Sequence, residues 1–231
     1  MKNIYSILFI IFFCITNCFA QDTVERKNRL SDSVIERFYV LKSNPETRQG
    51  PYTVMLHRRT LIARGRYNHN KKAGTWFFFD TQGKLVERYN YDKSKFSYEA
   101  PPYTSEDLSY LFDDSLKNGD RITMPIKIGG VYFGYIPYVS LFHLPFDSEQ
   151  FDTYAFDAYV ELLISPLGRL ADYNIRVVSA YYEYDQTFNL DVNLFSEADR
   201  TFVPAKLNGV PVMSRILIKC YVTTSGGLDF Y

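Results

Sequence analysis

Cysteine is nearly absent from the 231-residue chain: there are three, and Cys14 and Cys18 both lie within the first 20 residues, leaving Cys220 alone for the rest. One thiol closes no internal disulfide, so the fold must be held by its core even in an oxidising compartment. Excess charge of either sign is also lacking, since 26 basic residues face 26 acidic ones. That balance excludes a nucleic-acid binder working by bulk positive charge. Histidine is scarce, and His57, His69 and His143 stand at no metal-ligand spacing with one another or with a cysteine, so no metal is expected. The chain has no nucleophile elbow, phosphate loop or dinucleotide fingerprint. The expectation is a protein without cofactor or catalytic residues. Beyond residue 20 no apolar run approaches the length of a membrane-spanning helix, and no strand array suits an outer-membrane barrel.

Apolar and aromatic residues are plentiful: 46% of the chain is hydrophobic, with 20 Tyr, 19 Phe and 1 Trp against only 12 Gly and 10 Pro. This is too much apolar surface for a disordered chain, and aromatics suit a pleated, half-buried surface, so β structure is expected. The first 20 residues read Met-Lys-Asn, an apolar run from Ile4 to Ile15, and Cys18-Phe19-Ala20 before Gln21. Positive start, short apolar core and small residues at the last and third-last positions predict a secretory signal cut after Ala20. The alternatives are an uncleaved anchor and a lipid-modified Cys18, and sequencing the mature amino terminus separates cleavage from anchoring. Cleavage removes Lys2 and no acid, leaving 25 bases, 26 acids and a net charge of −1. A periplasmic or cell-envelope location is the corresponding expectation, with membrane association only if the signal is retained.

Along the mature chain, Ser33–Leu41 is β-branched and aromatic and predicts a strand ended by a turn at Asn44-Pro45-Glu46. From Gly50 to Tyr91 short strands alternate with glycine, and Gly, one residue, then an aromatic recurs at Gly50, Gly65 and Gly74. This pattern, with the basic turn His69-Asn70-Lys71-Lys72 and the Gly83-Lys84-Leu85 turn, resembles the MORN-repeat variant over about residues 46–92. The resemblance implies hairpins whose aromatics pack across strands. Residues 93–103 are polar, end in Ala100-Pro101-Pro102 and read as a connector. Leu108, Leu111, Phe112 and Leu116 fall on one helical face, with Thr104 and Asp107 as caps and Gly119 as a stop, so a helix is expected there. Arg121–Val139 reads as β-rich, with Gly129-Gly130 as a turn.

The last third reads strand (Tyr159–Ile164), tight turn (Ser165–Arg169), strand (Leu170–Ser179), a helix suggested by Leu190, Leu194 and Ala198, and a closing strand Ser214–Val222. In the closing strand Ile216, Ile218, Cys220 and Val222 share one face, and Arg215, Leu217, Lys219 and Tyr221 the other. The segment Phe202-Val203-Pro204-Ala205, Asn208-Gly209-Val210-Pro211-Val212, together with the Gly168-Arg169-Leu170 turn, resembles the TonB carboxy-terminal domain over about 155–223. Phe202 stands where that family carries Trp. The resulting expectation is an α+β protein: a signal at 1–20, a MORN-like hairpin segment at 21–100, and a TonB-like domain at 101–231 with a helix packed on an antiparallel sheet.

Pro204, Pro211 and the Asn208-Gly209 turn rigidify the approach to the last strand, placing it at or near a sheet edge able to take up an extended peptide. The resemblance then implies a protein or peptide partner in the envelope, an outer-membrane transporter among the possibilities. The binding backbone would be that of Arg215, Ile216, Leu217, Ile218, Lys219 and Tyr221. A short tether and the absence of a Pro-rich spacer speak against an energy transducer, which stays the runner-up, coupled to an uncleaved anchor. A periplasmic hydrolase or glycan-binding protein is a third reading. It would use Glu161, Glu183 or Asp185 as acids, or the Tyr181-Tyr182-Glu183-Tyr184 cluster as a ligand surface.

Overall fold

A computed structural model describes residues 22–101, 107–112, 116–145 and 151–230. The leader expected at 1–20 lies outside them. The described chain is mostly antiparallel sheet with one short helix.

The first seven strands, β1 (Thr23–Arg29), β2 (Val34–Leu41), β3 (Asn44–Leu56), β4 (Thr60–Asn68), β5 (Lys71–Phe79), β6 (Leu85–Asn90) and β7 (Lys95–Glu99), form a meander in which each pairs with its sequence neighbour. Hairpin turns enforce this order. His69 and Asn70 both have positive φ, 47° and 66°, the geometry of a two-residue turn whose twist matches the strands it joins. Asn70 also ties the turn to β3, since its Oδ1 accepts from the Arg48 N–H at 2.6 Å. The expected Asn44–Glu46 turn falls instead inside β3, because the hairpin closes two residues earlier, at Lys42-Ser43. Lys95–Glu99 of the expected connector is the edge strand β7, paired with β6.

At Gly65 the Gly-x-aromatic pattern has a packing cause. Gly65 sits inside β4 opposite Tyr52, and a Cβ there would come 2.2 Å from the Trp76 ring. Trp76 therefore lies flat on glycine backbone, fully buried among Tyr52, Tyr67, Phe78 and Tyr91. Glycine here makes room for a ring within the strand, and the turns lie elsewhere.

The second sheet has the order β12 (Tyr184–Asn189), β11 (Leu170–Ser179), β10 (Asp157–Ile164), β15 (Ser214–Val222), β16 (Leu228–Phe230), with β8 (Leu108–Phe112) also on β15. A small third sheet joins β9 (Ile122–Thr123), β13 (Lys206–Leu207) and β14 (Val210–Pro211). The only α-helix among the described residues is α1 (Ile136–Ser140), which carries Pro137 in its first turn.

Three expectations are corrected. The helix predicted around 104–119 is replaced, where described, by β8. Its apolar residues do not share a buried face, since Leu111 and Leu116 are about half exposed, and the ladder with β15 overrides the helical spacing. The helix predicted from Leu190 to Asp199 is a single 3₁₀ turn at Val192–Leu194, with Leu194 exposed and turns following it. Arg121–Val139 holds only the two-residue β9 before turning into 3₁₀ and α1.

The apolar face of the second sheet is covered instead by Tyr135, Tyr138 and Val139 together with Phe195 and Phe202. Tyr138 is the hub: its ring lies within 4.9–6.2 Å of Phe195, Tyr173 and Phe202, and its hydroxyl donates to the Asp199 carbonyl. The other side of the same segment, Tyr132, Phe133 and Ile136, packs on the inner face of the meander with Val54, Ile62 and Phe78. The stretch from Ile128 to Ser140 thus lies between the two sheets. Asp229 adds a polar pin: fully buried, it accepts from Ser33 Oγ at 2.7 Å, Ser31 Oγ at 2.9 Å and the Ser33 N–H at 3.2 Å.

Candidate functional site

β15 has the bounds and facing expected of it. Ile216, Ile218, Cys220 and Val222 are at most 4% exposed, while Arg215, Leu217, Lys219 and Tyr221 are half-buried on the other face. Its position in the sheet differs from the expectation of an edge. β10 pairs along its whole length on one side; on the other, Ser214–Ile218 pair with β8 and Cys220–Val222 with β16. Between these, the Lys219 N–H donates to the Asp107 carbonyl at 2.8 Å. The strand is therefore interior. The expectation failed because the two short covering strands, β8 and β16, carry no strong strand signal of their own. Arg215 donates to Glu161 at 2.9 Å, and Lys219 lies 3.3 Å from Asp157, so the predicted basic residues are committed to β10 carboxylates.

The motif before β15 is a built hairpin. Asn208 and Gly209 take positive φ, 52° and 85°, between β13 and β14. The Asn208 side chain accepts from the Arg121 N–H at 2.9 Å and donates to Asp120 at 2.8 Å, anchoring the turn beside β9. The Val212 N–H donates to the Ala205 carbonyl at 3.0 Å, Ala205 and Phe202 are buried, Pro204 precedes the hairpin, and Pro211 lies in its second strand opposite Lys206. The two halves of the motif also touch. The Phe202 N–H donates to the Gly168 carbonyl at 2.8 Å, and a Cβ on Gly168, itself at φ +72°, would come 2.3 Å from the Phe202 carbonyl oxygen. Gly168 is thus required by both its dihedral and its neighbour.

Of the residues proposed for hydrolysis, Glu183 and Asp185 line one open pocket with Tyr181 and Tyr184, and Glu161 lies apart from it. Glu161 is ion-paired on β10, Asp185 is bound by Arg176 at 2.6 Å and 2.9 Å, and Glu183 sits at positive φ in the β11–β12 turn. The tyrosine cluster stays together: Tyr182 and Tyr184 pack on Phe156, and Tyr181, 79% exposed, meets the Tyr182 ring edge-on at 4.8 Å. Cys220 is fully buried, and burial pushes its thiol far above the ordinary range. Among the described residues no group of three or more His, Cys, Asp or Glu is placed to hold a metal.

Sequence reasoning missed the polar groups buried at the seam between the sheets. Glu87 of β6 is 3% exposed, and its two oxygens accept from the Gly129 N–H at 3.0 Å and the Gly130 N–H at 3.1 Å. Burial still outweighs those bonds and pushes the carboxyl up to about 7. Lys127 is 4% exposed; its ammonium donates to the Ala198 carbonyl at 2.6 Å and lies 3.8 Å from Asp199, and burial lowers it to about 8. Both residues border a cavity of about 500 Å³ whose walls include Val86, Tyr110 of β8, Met124, Ile126, Val131 and Pro204. One signal was present: Glu87 holds an inward position in the alternation Glu87, Tyr89, which predicts a buried acid in a strand.

No helix among the described residues is long and apolar enough to cross a membrane. No protein-family model, curated protein or solved structure matches this chain.

Proposed function

We propose that this is an exported, non-enzymatic protein of the cell envelope that holds an extended segment of a protein partner by strand addition on β15. The reading draws on the resemblance of residues 155–223 to the TonB carboxy-terminal domain and of residues 46–92 to MORN-type hairpins, and on the leader-like amino terminus. The observation that carries it is the nature of β8. The Ser214–Ile218 edge of β15 accepts an antiparallel strand, and the chain itself supplies one only five residues long. Of those five, Leu108 alone is buried, while Ser109 and Leu111 are exposed. Full burial of Leu108 is worth about 1.5–3 kcal/mol, and Tyr110 and Phe112 are only half-buried beside it, a modest hold for a segment that covers a row of backbone donors and acceptors. A partner strand with better side chains would displace it and inherit the ladder.

The test is a reversible lock. Ser109 and Leu217 stand directly opposite each other, so the pair Ser109→Cys and Leu217→Cys pins β8 when oxidised. A labelled peptide of residues 106–114 and an envelope extract are the two probes. Both should bind the reduced protein and a Tyr110→Pro variant, in which the cis ladder is broken, and neither should bind the oxidised form. Equal capture by the oxidised, folded protein would place the partner elsewhere. The outer side of β12, the other end of that sheet, is the first place to look.

A further inference from the structure

The seam cavity has a chemistry that strand addition does not use. Its walls are predominantly apolar and formed by both halves of the molecule. Its volume, about 500 Å³, lies in the range of small-molecule sites and is far larger than one water requires. Glu87 of β6 and Glu99 of β7 border it, and they are directly opposed cross-strand partners. Like charges so placed repel each other, with Cβ atoms only about 4.5–5.5 Å apart. Glu99 has no hydrogen-bond or ion-pair partner among the described residues, and each Glu87 oxygen keeps acceptor capacity beyond its single backbone N–H.

The cations nearby are otherwise engaged. Lys127 is drawn to the Ala198 carbonyl and Asp199. Lys72 of β5 lies over the Trp76 and Tyr91 rings at 5.0 Å and 5.3 Å. Lys206 borders the cavity from the exposed strand β13. Tyr110 and Tyr135 are the remaining titratable side chains on its wall.

We propose that this cavity binds a small apolar primary amine, its hydrocarbon part against Val86, Met124, Ile126 and Val131 and its ammonium between Glu87 and Glu99. An ammonium supplies three donors to two carboxylates that face each other across adjacent strands, and it removes their repulsion. A fatty acid of the same length would add a third negative charge. The upward displacement of both carboxyls, caused first by burial, agrees with this polarity, since a bound cation would lower them again.

Octylamine, octanol and octanoate form a matched set of probes. Calorimetry is read beside the amide resonances of Gly129 and Gly130, which report on Glu87 directly. Octylamine should bind about tenfold more tightly than octanol, should move both glycine amides, and should bind more tightly at pH about 8 than at pH about 5, where Glu87 is protonated. Glu99→Gln, an exposed site, should erase most of the preference for the amine, and Ala100→Trp should fill the cavity and abolish binding of both amine and alcohol. Equal or tighter binding of octanol or octanoate, amine binding that leaves the glycine amides unmoved, or no binding of any probe to the folded protein would each overturn the proposal. Because these probes act on a protein with β8 in place, their failure leaves the strand-exchange reading standing, and the reverse also holds.

Discussion

The two sheets differ in how much of their pairing is local: β10, β11 and β12 pair in succession as the meander strands do, but the rest of the second sheet does not. In β1–β7 each strand pairs with the next, so every register is set by a short turn between partners. In the second sheet, β15 receives β10 on one side and β8 and β16 on the other, so Ile218 meets both Val160 and Leu108, each far away in the chain. Local pairing is encoded where it occurs, in turn chemistry such as His69-Asn70. Distant pairing is encoded only in the sum of burial it achieves, and loop closure must be overcome before that burial is gained. The meander is joined by short turns, while side chains pin segments distant in the chain: Asn208 binds Asp120 beside the small third sheet, and Asp229 of β16 binds Ser31 and Ser33 between β1 and β2.

The largest challenge to this contrast is Trp76→Ala. Removing the fully buried ring at the centre of the meander should cost about 3–5 kcal/mol, measured by urea unfolding. The two sheets should still unfold together, because Tyr132, Ile136 and Phe230 from the second half belong to the same core as Trp76. Two separated transitions, with amides of β10 and β11 protected after those of β4 and β5 have exchanged, would show the sheets to be independent.

Next in size is the pH dependence of the seam. Glu87 rises from its ordinary 4.5 to about 7 on folding, so the folded chain holds a proton that the unfolded chain has released across that interval, and stability falls as pH rises through it. Lys127 falls from 10.5 to about 8, so the unfolded chain holds the extra proton there, and stability climbs as pH rises from about 8 to about 10.5. Each slope should amount to about 3 kcal/mol, at 1.36 kcal/mol per pH unit of displacement. Glu87→Gln should flatten the acid-side slope and leave the alkaline one. An unchanged profile in that variant would remove Glu87 as the cause.

The smallest effect separates two glycines that look alike in sequence. Gly65→Ala drives a methyl into the Trp76 ring and should cost about 1–3 kcal/mol through overpacking. Gly74→Ala has nothing within 4 Å of the new Cβ and pays only for its φ of +64°, about 1 kcal/mol. Thermal melts of the two variants would rank them. A larger loss at Gly74 would mean that the pattern serves turns, as a hairpin-repeat reading of Gly-x-aromatic supposes, and not ring packing.

How much was legible follows the same division. The facing of β15, the Ser165–Gly168 turn and the Asn208-Gly209 hairpin were readable because alternation and positive-φ residues act over a few positions. The segment Leu108–Phe112 was read as helix because its apolar spacing fits both periods, and only contact with β15 selects the extended form. Leu190–Asp199 failed for a related reason. Its leucines have helical spacing, yet the apolar face is filled by Tyr138 and Phe202 with the segment's own Phe195, which lies off the Leu190, Leu194, Ala198 spacing. The cavity was hidden, since only packing brings Gly129 and Gly130 onto Glu87 and Tyr110 onto the wall, and Glu99, exposed on β7, fell in a segment read as connector.

By itself, then, the sequence determined that this chain carries a large apolar core with Cys220 as the one thiol beyond residue 20, is rich in antiparallel strands, and turns where glycine and asparagine permit positive φ, because those properties depend on composition and on neighbours a few residues apart. Only the tertiary structure decided that β15 lies inside its sheet, that its outer ladder is held by a five-residue strand of the same chain, and that two carboxylates meet at an apolar seam. Those outcomes depend on which distant segments compete for the same backbone edge and the same buried volume, and that competition is resolved only when the whole chain packs.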